Sequence, residues 1–145
     1  MHDSFKLASQ VSHKVIGAAI EVHRAMGPGL LETIYEWCLL QELKMRRLAA
    51  VNQETITLRY KRFSREQLLR FDLLVERCVL VEVKAVQEVH PIHKAQLLSY
   101  MKLLDVPLGL LINFHEPRLV EGVSRLVLAG AAAEDDAANH HIPSN

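Results

Sequence analysis

Two valine- and leucine-rich runs, parted by three residues, constrain this chain more than any other feature. They lie in RFDLLVERCVLVEVKAV, residues 70–86. Phe71, Leu73, Leu74 and Val75 make the first run, and Val79, Leu80, Val81 and Val83 the second. Apolar, β-branched runs of this length bounded by polar residues read as strands. The Glu76-Arg77-Cys78 link is short enough to make them an antiparallel hairpin. With a three-residue loop, Val75 faces Val79, and the same register sets Asp72 directly across from Glu82. Alternation along a strand puts Asp72, Leu74, Leu80, Glu82 and Lys84 on one face. Phe71, Leu73, Val75, Val79, Val81 and Val83 fall on the other, which is wholly apolar.

Asp72 and Glu82 are therefore the informative exceptions. Directly opposed side chains have Cβ atoms about 4.5–5.5 Å apart. Two carboxylates that close repel unless a proton or cation lies between them, and a hard divalent cation suits an all-oxygen site. Lys84, on the same face as Glu82, is placed to hold a water or a phosphate oxygen. The competing reading is a solvated Glu-x-Lys surface.

The rest of the chain supplies layers for that hairpin. Residues 9–26 carry helical apolar spacing, and Gly27-Pro28-Gly29 stops the helix and turns the chain. A second helix is expected over residues 30–48, giving an N-terminal αα-hairpin. Residues 53–60 alternate as a half-exposed strand, and the polar residues 61–67 read as a loop. Pro91 opens a helix running to Leu104; residues 106–114, VPLGLLINF, form an apolar strand. Residues 118–128 fit a short helix or a last strand, and 129–145 read as a disordered tail. The order predicts one α/β domain over residues 1–128, a mixed sheet flanked by helices.

Composition excludes several classes. At 145 residues with 50% apolar and 23% charged content, this is a single globular domain. No apolar stretch of membrane-spanning length occurs, and MHDSFKLASQ has no signal-like hydrophobic region, so the cytoplasm is the expected compartment. Cys38 reads as a reduced core thiol and Cys78 as an incidental turn residue. His90 and His93, with no cysteine pair nearby, are a poor zinc site. Net charge is zero, yet residues 44–70 hold eight basic residues against Glu54 and Glu66. That local excess faces either phosphates or solvent.

The second helix carries a resemblance. Gly29-Leu30-Leu31-Glu32-Thr33-Ile34-Tyr35 is a G-x-x-E-x-x-Y motif, preceded by AAIEVHR and followed by RFDLLVE, VEVKAV, AQLLSY and LLINF. Together these resemble the GxxExxY proteins, a small bacterial family within the PD-(D/E)xK nuclease superfamily, over residues 15–128. The resemblance implies a restriction-endonuclease-like αβββαβ core and Mg²⁺- or Mn²⁺-dependent cleavage of DNA or RNA. It implies Asp72, Glu82 and Glu32, with the Val83 carbonyl, as metal ligands, and Lys84 beside the attacking water. Gln96 would contact phosphate or a base edge. Tyr35, Tyr100 and His23 are supporting residues behind these, and a homodimer would help such a small nuclease hold a duplex. Plainer roles compete with several of these. The helix dipole alone favours Glu32 in a first turn by about 0.3–1 kcal/mol, and Tyr35 is better suited to packing against the hairpin than to catalysis. His23 reads as a satisfied core histidine, and Gln96 and Tyr100 can bond each other at i, i+4. Residues 63–67 lack the glycine that familiar members carry before the Asp72 strand, and the Glu76-Arg77-Cys78 turn lacks the expected Asn, Asp or Gly. A non-catalytic nucleic-acid-binding or protein-interaction module on the same fold is the rival reading.

Overall fold

Alternation between helix-spaced and strand-spaced apolar residues resolves into two helical layers on either side of one sheet. The computed structural model describes residues 2–128; the expected tail at 129–145 lies outside the described residues. In chain order come α1 (His2–Met26), α2 (Glu32–Met45), β1 (Ala50–Tyr60), β2 (Phe63–Val75) and β3 (Val79–Lys84). Then follow α3 (Pro91–Leu104), β4 (Leu108–Asn113), a 3₁₀ turn at Leu119–Gly122 and β5 (Val123–Val127). The ambiguous last segment is thus both: a helical turn, then a strand. No described helix is long and apolar enough to cross a membrane.

The sheet runs β1-β2-β3-β4-β5 and is antiparallel except at β3–β4, which pair in parallel. A parallel pair needs a crossover, and α3 supplies it. Leu73, Val75, Val79, Val81 and Val83 pack with Leu108, Leu110 and Ile112 against α1 and α2. Leu74, Leu80 and Leu111 pack against Leu97 and Met101 of α3. The hairpin is therefore covered on both faces, and Asp72, at the end away from the turn, borders a cleft on the α3 side and another on the α2 side. Gly109 makes that cover close: a Cβ there would lie 2.5 Å from the Met101 sulfur.

The Val75–Val79 register holds, continuing through Leu74–Leu80 and Leu73–Val81. It ends there, so Asp72 and Glu82 are not a paired rung. The cause is a bulge. Val51 pairs with Leu74 but Gln53 pairs with Arg70, so Asn52 alone faces Phe71, Asp72 and Leu73. Extra residues in one strand bend it and re-aim its side chains. Phe71 accordingly packs with Leu74 and Leu80, on the α3 side rather than with Leu73 and Val75.

Two further expectations change. Residues 61–67 are not a loop. The β1–β2 turn is only Lys61-Arg62, and β2 begins at Phe63. Residues 63–66 of β2 are all exposed, so this stretch needs no apolar stripe. The cysteines also exchange roles: Cys78 is buried and Cys38 half-buried. Burial, then the Glu76 charge, pushes the Cys78 thiol up to about 11.

Candidate active site

The G-x-x-E-x-x-Y motif is a positioning device. Gly27 and Gly29 both have positive φ, which turns the chain sharply between α1 and α2. The Tyr35 hydroxyl donates to the Gly27 carbonyl and accepts from the Leu30 N–H, closing that turn from inside. Its ring stacks on Phe114 at 4.5 Å, within the buried cluster that includes the hairpin valines. Phe114 in turn donates its N–H to the Lys84 carbonyl over 2.8 Å. The α2 N-terminus is thereby fixed over the end of β3, and Glu32 accepts from the Ala85 N–H at 3.4 Å. The His23 ring lies 6.5 Å from that of Phe114, and its Nε2 donates to the Glu116 carbonyl at 2.8 Å. Both residues brace the elements that carry the acids and do not touch them.

At the bulge, Asp72 Oδ2 accepts from the Val83 N–H at 2.7 Å. This bond replaces the missing ladder rung and brings the carboxylate to the β3 end that carries Glu82 and Lys84. Lys84 Nζ lies 3.4 Å from Glu82 Oε2, with the two side chains 16% and 29% exposed. Burial and the Asp72 charge raise the Glu82 carboxyl, and Lys84 opposes them. Gln96 and Tyr100 of α3 line a cleft with Arg70, Phe71, Asp72 and Glu82. They face that cleft from one helix side, and no hydrogen bond joins them among the described residues.

One acid has no counterpart in the sequence expectations. Glu36, one helical turn after Glu32, shares a second cleft with Trp37, Asn52 and Asp72. Burial first, then a hydrogen bond with Asp72 and the charges of Asp72, Glu32 and Glu82, push its carboxyl up to about 7. The available signal is Glu at i and i+4 with no basic partner on that face. Burial, then the charges of Lys84 and His90, lower the His93 pKa, and the Glu32 charge opposes them. His90 and His93 form a capping box on α3, the His90 N–H donating to His93 Nδ1 at 3.2 Å.

Four carboxyl groups from α2, β2 and β3 thus crowd beside one lysine. Among the described residues no three His, Cys, Asp or Glu side chains converge on a common ion position. Three of the four acids have a backbone N–H or a lysine as partner instead: Val83 N–H for Asp72, Lys84 for Glu82, Ala85 N–H for Glu32. The donor set itself, oxygen-only and mutually repulsive, fits a hard divalent cation.

Central strand, bulged neighbour and overlying helix define a class: a mixed-sheet α/β domain with an acid–acid–lysine cluster where the strands part. A family model described as the PD-(D/E)XK nuclease superfamily matches residues 9–126. The chain belongs to this superfamily, and its five-stranded sheet with flanking helices is the restriction-endonuclease-like α/β fold. Comparisons with curated proteins and with solved structures returned no match.

Proposed function

We propose that this protein is a GxxExxY-type, divalent-cation-dependent nuclease that hydrolyses phosphodiester bonds of DNA or RNA. One observation carries the reading: the β2 bulge delivers Asp72 to Val83, beside Glu82 and Lys84, under an α2 that adds Glu32 and Glu36. Asp72, Glu82, Glu32 and the Val83 carbonyl would hold Mg²⁺ or Mn²⁺, ions that take oxygen donors. When bound, such an ion neutralises charge on the scissile phosphate and acidifies a water. Lys84 orients the attacking water and contacts the phosphate from the Glu82 side. Gln96, in the cleft shared with Asp72 and Glu82, holds a phosphate oxygen or a base edge. Glu36 keeps a proton beside Asp72 until that charge is neutralised.

The test is cleavage of single- and double-stranded DNA and RNA with Mg²⁺ or Mn²⁺, against Glu82→Ala and Lys84→Ala. Cation-dependent cleavage lost in both variants is expected; no cleavage of any substrate sinks the proposal. The rival, a non-catalytic binding module, draws on the absence of three converging ligands among the described residues. It predicts no cation-linked stabilisation. A melting temperature that rises with Mn²⁺, and stops doing so in Asp72→Ala, decides against it. Trp37, which shares a cleft with Glu36 and Asp72, offers a fluorescence readout of the same event.

A further inference from the structure

The outer part of the β1–β2 ribbon has no role in the site described above. Its rungs run outward from Gln53–Arg70 to Tyr60–Phe63, where the two-residue Lys61-Arg62 turn closes it. Tyr60 is 65% exposed and Phe63 59% exposed, and they face each other as the last rung. Their immediate companions are cations. Lys61 Nζ sits 5.2 Å from the Tyr60 ring centroid and the Arg62 guanidinium 4.8 Å from that of Phe63. One rung in, Arg59 pairs with Ser64 on the opposite face of the ribbon; two rungs in, Arg65 pairs with Leu58 on the face of the rings. The seven residues from Arg59 to Arg65 hold four cations, two aromatics and no acid, in a chain that balances 17 basic against 17 acidic residues.

Two large rings displayed at a tip, with no described part of this chain to cover them, mark a contact surface. Charge decides what covers it. A second copy meeting the tip about a two-fold axis would bring the same four cations against themselves, which is repulsive. A polyanion meets them favourably. Flat rings flanked by cations are what a strand with unpaired bases requires: phosphates on the charges, a base on the ring.

We propose that the tip of the β1–β2 ribbon grips nucleic acid at unpaired nucleotides, stacking bases on Tyr60 and Phe63 and holding phosphates with Arg59, Lys61, Arg62 and Arg65. This deepens the nuclease reading by naming its preferred substrate as single-stranded or frayed, and it rests on that reading for its biological sense. The grip is remote from Asp72, because Phe63 and Asp72 lie at opposite ends of the exposed stretch of β2.

Fluorescence anisotropy in EDTA, which prevents metal-dependent cleavage, tests it with a labelled single strand of about 20 nucleotides and a blunt duplex. The Tyr60→Ser/Phe63→Ser variant is expected to bind the single strand about tenfold more weakly, with a smaller loss on the duplex. Changing the four cations to Gln should lower the slope of log K against log salt by about 3 on the single strand. All six positions are exposed, so melting temperatures report that both variants fold. Unchanged binding in both variants overturns the proposal, as does an equal loss on strand and duplex in the aromatic variant. A wild-type dimer that becomes monomeric in that variant, with nucleic-acid affinity unchanged, also overturns it and assigns the tip to self-association. Cleavage by the wild-type chain with Mn²⁺ reads the nuclease reading separately. Binding through the tip without cleavage retires that reading alone, and cleavage with tip-independent binding retires this one alone.

Discussion

The β3–β4 pair and the β1–β2 ribbon belong to one sheet and follow opposite rules. β3 and β4 are short, parallel and enclosed by helical layers on both faces; every residue of β4 is buried. β1 and β2 are about twice as long, and most of their length is exposed. Packing fixes the inner pair to within a rotamer, which is what holding Glu82 and Lys84 in place requires. The ribbon is held by its own ladder and turn, and that leaves its surface free to carry charge and aromatic rings. Asp72 stands where the two regimes meet. The bulge opposite Asn52 is the joint, and it turns an outer-strand residue toward the inner site.

The largest effect should come from breaking that joint chemically. Asp72→Asn keeps the shape and an acceptor for the Val83 N–H but removes the charge. Cleavage is expected to fall on the order of 10³-fold, while the melting temperature, relieved of one like charge beside Glu36 and Glu82, should not fall. Retained cleavage would move the chemistry off the inner site.

Next is the stability contrast between the halves. Ile112→Ala empties a fully buried position in the layer facing α1 and α2 and should cost about 2–5 kcal/mol in urea unfolding. Ile56→Ala, half-buried on the ribbon, should cost less than about 1 kcal/mol. Similar values would mean that the ribbon packs against something in solution. Tyr35→Phe falls between them. It leaves the Phe114 stack but removes a hydroxyl that serves both Gly27 and Leu30, so about 1–3 kcal/mol is expected by the same assay.

The same contrast governs how much the residues alone reveal. Val79, Val81, Leu110 and Ile112 announce themselves because burial on both faces demands unbroken apolar runs. Their register follows from one turn length and holds from Val75–Val79 to Leu73–Val81. Residues 63–67 resemble a loop because this exposed start of β2, unlike Ile56 and Leu58 on β1, carries no apolar alternation to detect. The bulge is illegible for a different reason. It is a mismatch between two strands, and neither Asn52 nor Asp72 carries a local mark of it, so alternation alone sends Phe71 to the wrong face. Glu36 stays hidden because helical spacing shows which face a residue takes but not what lies opposite. Only the fold shows that its face meets Asp72.

The smallest effect lies in that same Glu36, which links α2 to the root of the ribbon. Its carboxyl moves from an ordinary 4.5 in the unfolded chain to about 7 in the fold. A folded-state value above the unfolded one means that the fold holds a proton the open chain has already released. The associated stability is complete below 4.5 and is lost as pH climbs through about 7. With divalent cations chelated, the melting temperature should therefore decline across that window. Glu36 is partly solvated, which limits the decline to a few degrees. Glu36→Gln keeps a neutral partner for Asp72 at every pH, so it should melt above wild type at pH 8 and level with it at pH 4. A wild-type profile that stays flat between those limits would mean that Glu36 and Asp72 share no proton. The bulge would then be held by the Asp72–Val83 bond alone.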